Sequence, residues 1–381
     1  MTDQARTVAP VRTWLAEPLA PECKRAIERL SRLDDVRHIA VMPDVHAGSD
    51  VCTGIALATS NTLIPQAVGA DIGCGMSTCR LPIDADAVSN GRTAMEVLAA
   101  IRRAVPVIRH NHRSPPTLPA EINAIPLSAE PLRNALKRDG TIEFGTLGRG
   151  NHFLELQRDD DNALWLLVHS GSRAMGQVIT RHHLAKAAKI GSGVAALDAR
   201  SEPGAAYATD VSWAITYARL SREAMLHTAA RAIGQTLGIE ATPSPIWGTT
   251  HNNVTRENHD NTDLWVHRKG VAPAHAGLAN IIPGSMAAET YHVEGRGEPA
   301  SLCSSSHGAG RALSRTEATR RTSTKDLNRQ LRDVFVDESI LPRLRDEAPA
   351  AYRDIRAVMR AQSDLVRITR KLHPILTFKG V

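Results

Sequence analysis

Four glycine-punctuated runs carry side chains suited to metal binding. In Asp71-Ile-Gly-Cys-Gly75 a carboxylate and a thiol lie three residues apart, and the glycines allow a turn tight enough for both to face one centre. A thiolate so placed can bridge two divalent ions, whereas taken alone the run also reads as a turn with a buried cysteine. Gly148-Arg-Gly-Asn-His-Phe-Leu-Glu155 adds His152 as a neutral imidazole ligand, Asn151 as donor and acceptor, and Glu155 as an acceptor for a nucleobase edge or a cation. By itself this run equally fits a satisfied structural histidine. His169 leads into Ser-Gly-Ser-Arg173, whose donors suit an anion such as phosphate. Trp247-Gly-Thr-Thr-His-Asn-Asn253 supplies His251 and Asn252. Taken together, Asp71, Cys74, His152, His169 and His251 form a mixed O, N and S set that suits Mn, Zn, Co or Fe better than Mg. They have neither zinc-finger pairing nor HExxH spacing.

A fifth run, Leu302-Cys-Ser-Ser-Ser-His-Gly-Ala-Gly-Arg311, has a different character. Small residues after His307 admit a bulky ligand, and a neutral imidazole can attack an activated phosphorus while a metal and a nearby Arg neutralise charge. In isolation, a metal-binding or structural histidine fits the run as well.

The elements that must position these groups are short apolar strands alternating with glycine-rich turns, without the regular strand-helix period of a doubly wound sheet. An irregular α+β fold follows. Ile39-Ala-Val-Met42 runs into Pro43-Asp-Val-His46, and Leu164-Trp-Leu-Leu-Val168 runs into His169, so two buried strands deliver polar residues at rigid ends. Val211, Ala214, Tyr217, Ala218, Met225 and Ala229 recur at helical spacing and predict a helix from Ala205 to about Leu237, and another is expected beyond Ser314. Tyr352, Ile355, Met359, Leu365 and Leu372 predict a helix after Pro349, its other surface enriched in Arg353, Arg356, Arg360, Arg367, Arg370 and Lys371. That basic surface reads as a solvated face, with RNA contact as the alternative. Residues 105–138, proline-rich and interrupted by Arg109-His-Asn-His-Arg113, read as a surface loop or insertion in a single domain spanning 1–381.

Composition narrows the function classes. With 381 residues, 42% of them apolar, the chain can bury a substantial core, and wholesale disorder is excluded. Aromatics at 3% do not support a base-stacking platform, so any nucleic-acid contact is mainly electrostatic, which a net charge of +6 permits. Cys23, Cys52, Cys74, Cys79 and Cys303 are odd in number and sparse, so reduced thiols are expected. Met1–Thr7 holds no apolar signal core and no long uncharged apolar stretch follows, which leads to the expectation of a cytoplasmic protein.

Considered together, the runs closely resemble the RtcB family of RNA-splicing ligases. The matching segments are Met42-Pro-Asp-Val-His46, Gly69-Ala-Asp-Ile-Gly-Cys-Gly-Met76, Gly148–Glu155, His169–Arg173, His251-Asn252, His267-Arg-Lys-Gly270, Ile282-Pro-Gly-Ser-Met286, Ser306–Arg311 and Lys379-Gly380. They span nearly the whole chain in the family's order. The resemblance implies a central metal cleft among mixed sheets flanked by helices, and an enzyme that joins an RNA 3′-phosphate or 2′,3′-cyclic phosphate to a 5′-hydroxyl, with GTP as co-substrate and two Mn2+ ions. It implies Asp71, Cys74, His152, His169 and His251 as metal ligands with Cys74 bridging, and His307 as the residue that takes GMP before passing it to the RNA 3′-phosphate. It also implies Asn151, Phe153, Glu155, Ser285, Arg311 and Lys379 as the GMP pocket, with Asp44 assisting near the metals. Repair of cleaved RNA is the preferred role, beside tRNA exon joining.

Two alternatives stay open: a binuclear phosphoesterase acting on cyclic phosphate ends, and a non-catalytic RNA-binding repair subunit. The chain departs from the family pattern at Arg149, where glycine is usual, at Ala287-Ala-Glu-Thr290, and at Ala47-Gly-Ser-Asp50. Nucleotide preference and RNA choice are the expectations these departures bear on.

Overall fold

The computed structural model describes residues 8–381; Met1–Thr7, where the absence of a signal core was read, lie outside the described residues. Alternating apolar residues build the central seven-stranded antiparallel sheet, in the order Trp247–Thr250, Gly75–Asp84, Ala163–Ser170, Phe153–Asp159, Val366–Lys379, Thr290–Gly295, Ala279–Pro283. Because side chains alternate across a strand, Leu154, Leu156, Leu166 and Val168 face one way, into a core shared with the helices Gly91–Ala104 and Glu202–Leu237. Phe153, Glu155, Leu167 and His169 face the other way. Register then lines up Lys379, Phe153, His169 and Met76 on successive strands.

A five-stranded sheet, Val11–Thr13, Val36–His46, Thr53–Thr59, Thr262–Lys269, Asn252–His259, packs beside it; its first pair is parallel and the rest antiparallel. The strands expected at Ile39–Met42 and Leu164–Val168 lie within Val36–His46 and Ala163–Ser170. Among the described residues no helix is long and apolar enough to cross a membrane, and all five cysteines are unpaired.

The long helix begins at Glu202, capped by the Ser201 side chain accepting from Gly204 N, and ends at Gly238, which takes the left-handed conformation at φ 69°. The helix Arg315–Arg321 follows its Ser314 cap as expected. The helix after Pro349 is shorter than its apolar stripe predicts. It covers only Ile355–Ala361, and Leu372 belongs to the strand Val366–Lys379. Pro374 cannot occupy a helix interior, and β-branched Val366, Ile368, Thr369, Ile375 and Thr377 favour extended backbone. The cations of this stretch are met by carboxylates: Arg370 pairs with Asp159, Arg356 and Lys371 with Glu289, and Arg367 with Glu294 at 2.7 Å. Residues 105–138 are more ordered than a loop. They contain the helices Ala120–Ala124 and Glu130–Ala135, with Ile122, Leu127 and Leu132 buried.

Candidate metal centre and nucleotide cleft

Cys74 lies at the centre of two ligand triads. Its thiol, His169 and His251 form one; the same thiol, Asp71 and His152 form the other. Cys74 Sγ lies 3.2 Å from His169 Nε2 and 3.6 Å from His152 Nε2, His152 Nε2 lies 3.0 Å from Asp71 Oδ2, and His169 Nε2 lies 3.3 Å from His251 Nε2. All five residues named from sequence therefore converge.

Each is held from behind. The Asp71 turn is packed so closely against the strand end that a Cβ at Gly171 would overlap the Asp71 carboxylate. Arg222, from the long helix, donates to Gly73 O at 2.9 Å, Ser170 O at 3.0 Å and Ser77 Oγ at 3.0 Å, tying the turn to the end of the His169 strand. Asn252 Nδ2 donates to Asp71 O at 3.0 Å. His152 Nδ1 faces Leu147 O and His169 Nδ1 faces Asn151 O, each at 3.1 Å, which places the ring proton on Nδ1 and leaves Nε2 as a bare lone pair.

This donor set fits divalent cations. Lone pairs on two imidazoles meet a thiol and a carboxylate at close range, and Asp71 Oδ1 is buried without a hydrogen-bond partner. Such a cluster repels itself unless positive charge lies between its members. Burial, and then the Asp71 charge, push the Cys74 thiol well above its usual value, while burial and neighbouring imidazoles hold His169 and His251 well below theirs. The histidines are thus neutral and ready to ligate. A cation held by this set would stabilise Cys74 as the thiolate.

His307 stands at the rim of the same centre. The strand Ser304–Ser306, paired with Val271–Pro273, delivers it, and its ring centroid lies 4.7 Å from that of His251. Its Nδ1 lies 2.7 Å from Asp44 Oδ2, which also accepts the His307 backbone N–H at 3.2 Å. The ring contact lacks hydrogen-bond alignment, so it is an electrostatic pairing rather than a directed bond. Asp44 belongs with His307 rather than with either metal triad. Arg353 fixes the strand end behind it, donating to Asp44 O at 3.2 Å and Val45 O at 2.9 Å, and Gly310, at φ 70°, passes too close to Asp44 for any side chain.

A cleft of about 750 Å3 opens from His307 and the metal ligands, within the range of small-ligand sites. Asn151, Phe153, Glu155, Ser285, Arg311 and Lys379 all line it. Glu155 is buried, accepting from Thr377 Oγ1 at 3.0 Å and Gln157 Nε2 at 2.9 Å; burial pushes its carboxyl up to about 7 against those bonds and the Lys379 charge. Lys379 Nζ lies over the Phe153 ring, 5.9 Å from its centroid.

Sequence reasoning missed Glu347. Its carboxylate accepts from Lys379 Nζ at 2.8 Å, Arg311 Nη1 at 3.0 Å, Arg315 Nη1 at 2.6 Å and Tyr352 OH at 2.6 Å, gathering the cations on that wall. Arg222 was missed too. No local pattern marks either, since one lies in a short 3-10 stretch and the other in mid-helix.

The anion-binding reading of Ser170, Ser172 and Arg173 is corrected. Both hydroxyls donate to backbone carbonyls, Leu147 O and Ile72 O, and Arg173, outside the cleft lining, turns its Nε and Nη2 to Thr146 Oγ1 and Ile108 O. Of the departures, Arg149 is exposed and outside the cleft lining; Ala287–Thr290 also lie outside it, with Glu289 and Thr290 buried, and Ala47 alone of 47–50 lines it.

Fold and site together define a mixed α+β protein in which two triads of potential metal ligands share one thiol beside a cleft of about 750 Å3. The sequence model of the tRNA-splicing ligase RtcB family matches residues 26–126 and 125–380. The chain belongs to the RtcB family. It is 34% identical to the RNA-splicing ligase RtcB of Escherichia coli strain K12 over 409 residues, covering 98% of each chain. It is 29% identical to the RNA-splicing ligase RtcB of Mycobacterium tuberculosis strain H37Rv, covering 91% of this chain and 97% of the relative, and 26% identical to the tRNA-splicing ligase RtcB of Nanoarchaeum equitans, covering 97% and 95%.

Proposed function

We propose that this chain is a GTP-dependent RNA ligase that joins a 3′-phosphate or 2′,3′-cyclic phosphate end to a 5′-hydroxyl end through a GMP adduct on His307. The observation that carries this reading is the placement of His307 beside His251, at the junction of two triads sharing Cys74 and the mouth of a nucleotide-sized cleft.

The Asp44 carboxylate, 2.7 Å from Nδ1, favours a proton on that nitrogen electrostatically, and Nε2 serves as the nucleophile. Nε2 forms a bond to the α-phosphorus of GTP and pyrophosphate leaves. An oxygen of the RNA 3′-phosphate then takes the GMP from Nε2, giving an anhydride. The 5′-hydroxyl attacks the RNA phosphorus, the phosphodiester forms and GMP leaves. Activation is needed because a phosphate dianion is a poor leaving partner for an alcohol attack. Asp71, Cys74, His152, His169 and His251 would hold two Mn2+ ions, which supply charge neutralisation on the phosphate oxygens when bound. Glu155 offers its carboxylate to the guanine edge, Phe153 offers a flat apolar face, and Asn151, Ser285, Arg311 and Lys379 offer donors to ribose and phosphate.

Incubation with GTP and Mn2+ should add the mass of one GMP to the purified protein, and His307→Ala should abolish the gain. An unaltered protein that forms no adduct across a range of divalent metals rules the ligase reading out. GTP-independent opening of cyclic phosphates without an adduct would identify the phosphoesterase alternative.

A further inference from the structure

A second, open groove of about 820 Å3 lies beside the cleft, between the helix Arg315–Arg321 and the 3-10 turns Glu338–Arg343 and Arg345–Glu347. Its walls carry Arg315, Arg320, Arg343 and Arg345 against a single carboxylate, Asp346, which is already paired with Arg315 at 2.6 Å. Arg320, Arg343 and Arg345 have no carboxylate partner among the described residues, whereas Arg356, Arg367 and Arg370 each have one. Their neighbour Arg321, outside the groove, pairs with Glu317. Like charges gathered without counter-charges repel one another, and an anionic ligand relieves that cost.

The groove adjoins the cleft that holds His307, since Arg315 lines both. Its floor and rim add Pro342 and the hydroxyl residues Thr316 and Thr319, with no aromatic side chain on which a base could stack. Such a surface engages a phosphate chain and ignores base identity.

Resting on the ligase reading above, we propose that this groove carries the sugar-phosphate backbone of an RNA strand whose end sits in the cleft, with Arg320, Arg343 and Arg345 on successive phosphates. An RNA terminus that reaches His307 must have its chain led away over the surface, and the groove provides a charged path for it. Recognition here is independent of sequence, so the joined ends are selected by their terminal chemistry rather than by neighbouring bases.

The test uses the full chain and the double variant Arg320→Ala/Arg343→Ala, both positions being exposed and outside the cleft. Binding of single-stranded RNA carrying a 3′-phosphate, and of RNA carrying a 5′-hydroxyl, is followed by fluorescence anisotropy across a salt series, and GMP adduct formation is measured in parallel. For at least one RNA, Kd is expected to rise about tenfold at low salt and the log–log salt slope to shrink by about 1.4, as for two lost phosphate contacts. Adduct formation from GTP stays unchanged, and Arg320→Lys/Arg343→Lys restores most RNA binding. Unchanged Kd and slope for both RNAs overturn the proposal and leave the groove to another partner, such as an acidic protein surface. A GTP concentration dependence that weakens as much as RNA binding also overturns it, by assigning the groove to the triphosphate. If the unaltered protein forms no adduct yet loses RNA binding in the double variant, the ligase reading falls and the groove assignment stands.

Discussion

Glu347 Oε2 accepts a 2.8 Å hydrogen bond from Lys379 Nζ, with both side chains almost wholly removed from water. Burial alone would raise the Glu347 carboxyl, but Lys379 and Arg315 hold it down at about 2. Replacement by the neutral amide leaves Lys379 buried without the carboxylate it bonds directly. Glu347→Gln should therefore lose about 3 kcal/mol of stability at neutral pH, the usual cost of breaking a buried pair by removing one partner. It should also raise the GTP concentration needed for half-maximal adduct formation, since Arg311 and Lys379 both lose their carboxylate partner. Urea denaturation and GTP titration of adduct formation read the two effects separately.

The sharing of Cys74 makes the metal count diagnostic. Two ions per chain are expected in the unaltered protein, about one in His152→Ala or His251→Ala, and none in Cys74→Ala, since only Cys74 belongs to both triads. Gly171→Ala should behave like His152→Ala, because the added methyl displaces the Asp71 carboxylate. Elemental analysis after dialysis against Mn2+ provides the count. Loss of only one ion in Cys74→Ala would show that the thiol does not bridge.

The candidate ligands were legible as reactive side chains among glycines at strand ends, where type and context occupy a few consecutive residues, although each run alone also fits a structural role. Asp71 and Cys74, His152, His169 and His251 needed no knowledge of the distant chain to be named; only their convergence did. Glu347 and Arg222 are illegible for the converse reason. Each works through partners far away in sequence: Glu347 lies 32 positions from Lys379, and Arg222 lies 149 from Gly73. The helix predicted after Pro349 failed at a different level. Tyr352, Ile355 and Met359 have helical spacing, whereas the alternation of Val366–Lys379 is blurred by the register shift between Pro374 and Leu376 and by cations on its exposed face. Antiparallel pairing with Phe153–Asp159 and Thr290–Gly295 decides the outcome, and a single-strand reading does not contain it.

Guanine recognition by Glu155 should be pH-dependent in the physiological range. Its carboxyl is raised by burial to about 7, and only the ionised form offers acceptors alone to a guanine N–H edge. As pH falls through about 7 the acid form takes over and GTP binding weakens; above that range it levels off. Glu155→Gln should weaken GTP use at every pH and remove the inflection. The GTP dependence of adduct formation from pH 6 to 8.5, in buffers of constant ionic strength, checks this, and an identical pH profile in the variant would contradict it.

His267 links the scaffold beneath the site to acid stability. Its Nε2 accepts the Ile64 N–H at 3.0 Å, so its proton lies on Nδ1, which faces Leu57 O at 3.2 Å. A second proton on Nε2 would meet another donor inside a buried core. Burial, opposed by the Leu57 and Trp265 backbone contacts, lowers the imidazole from 6.5 to about 4. The unfolded chain thus takes up this proton first as the medium is acidified. The stability His267 contributes is complete above pH 6.5 and is lost progressively between 6.5 and about 4, amounting to about 3 kcal/mol at the acid end. In His267→Gln that share of the acid dependence disappears, so its urea midpoint, lower at pH 7, should decline less steeply between pH 6.5 and 4.5 than that of the unaltered protein. Parallel curves would mean that the ring is already protonated in the folded state, and the buried neutral tautomer would have to be abandoned.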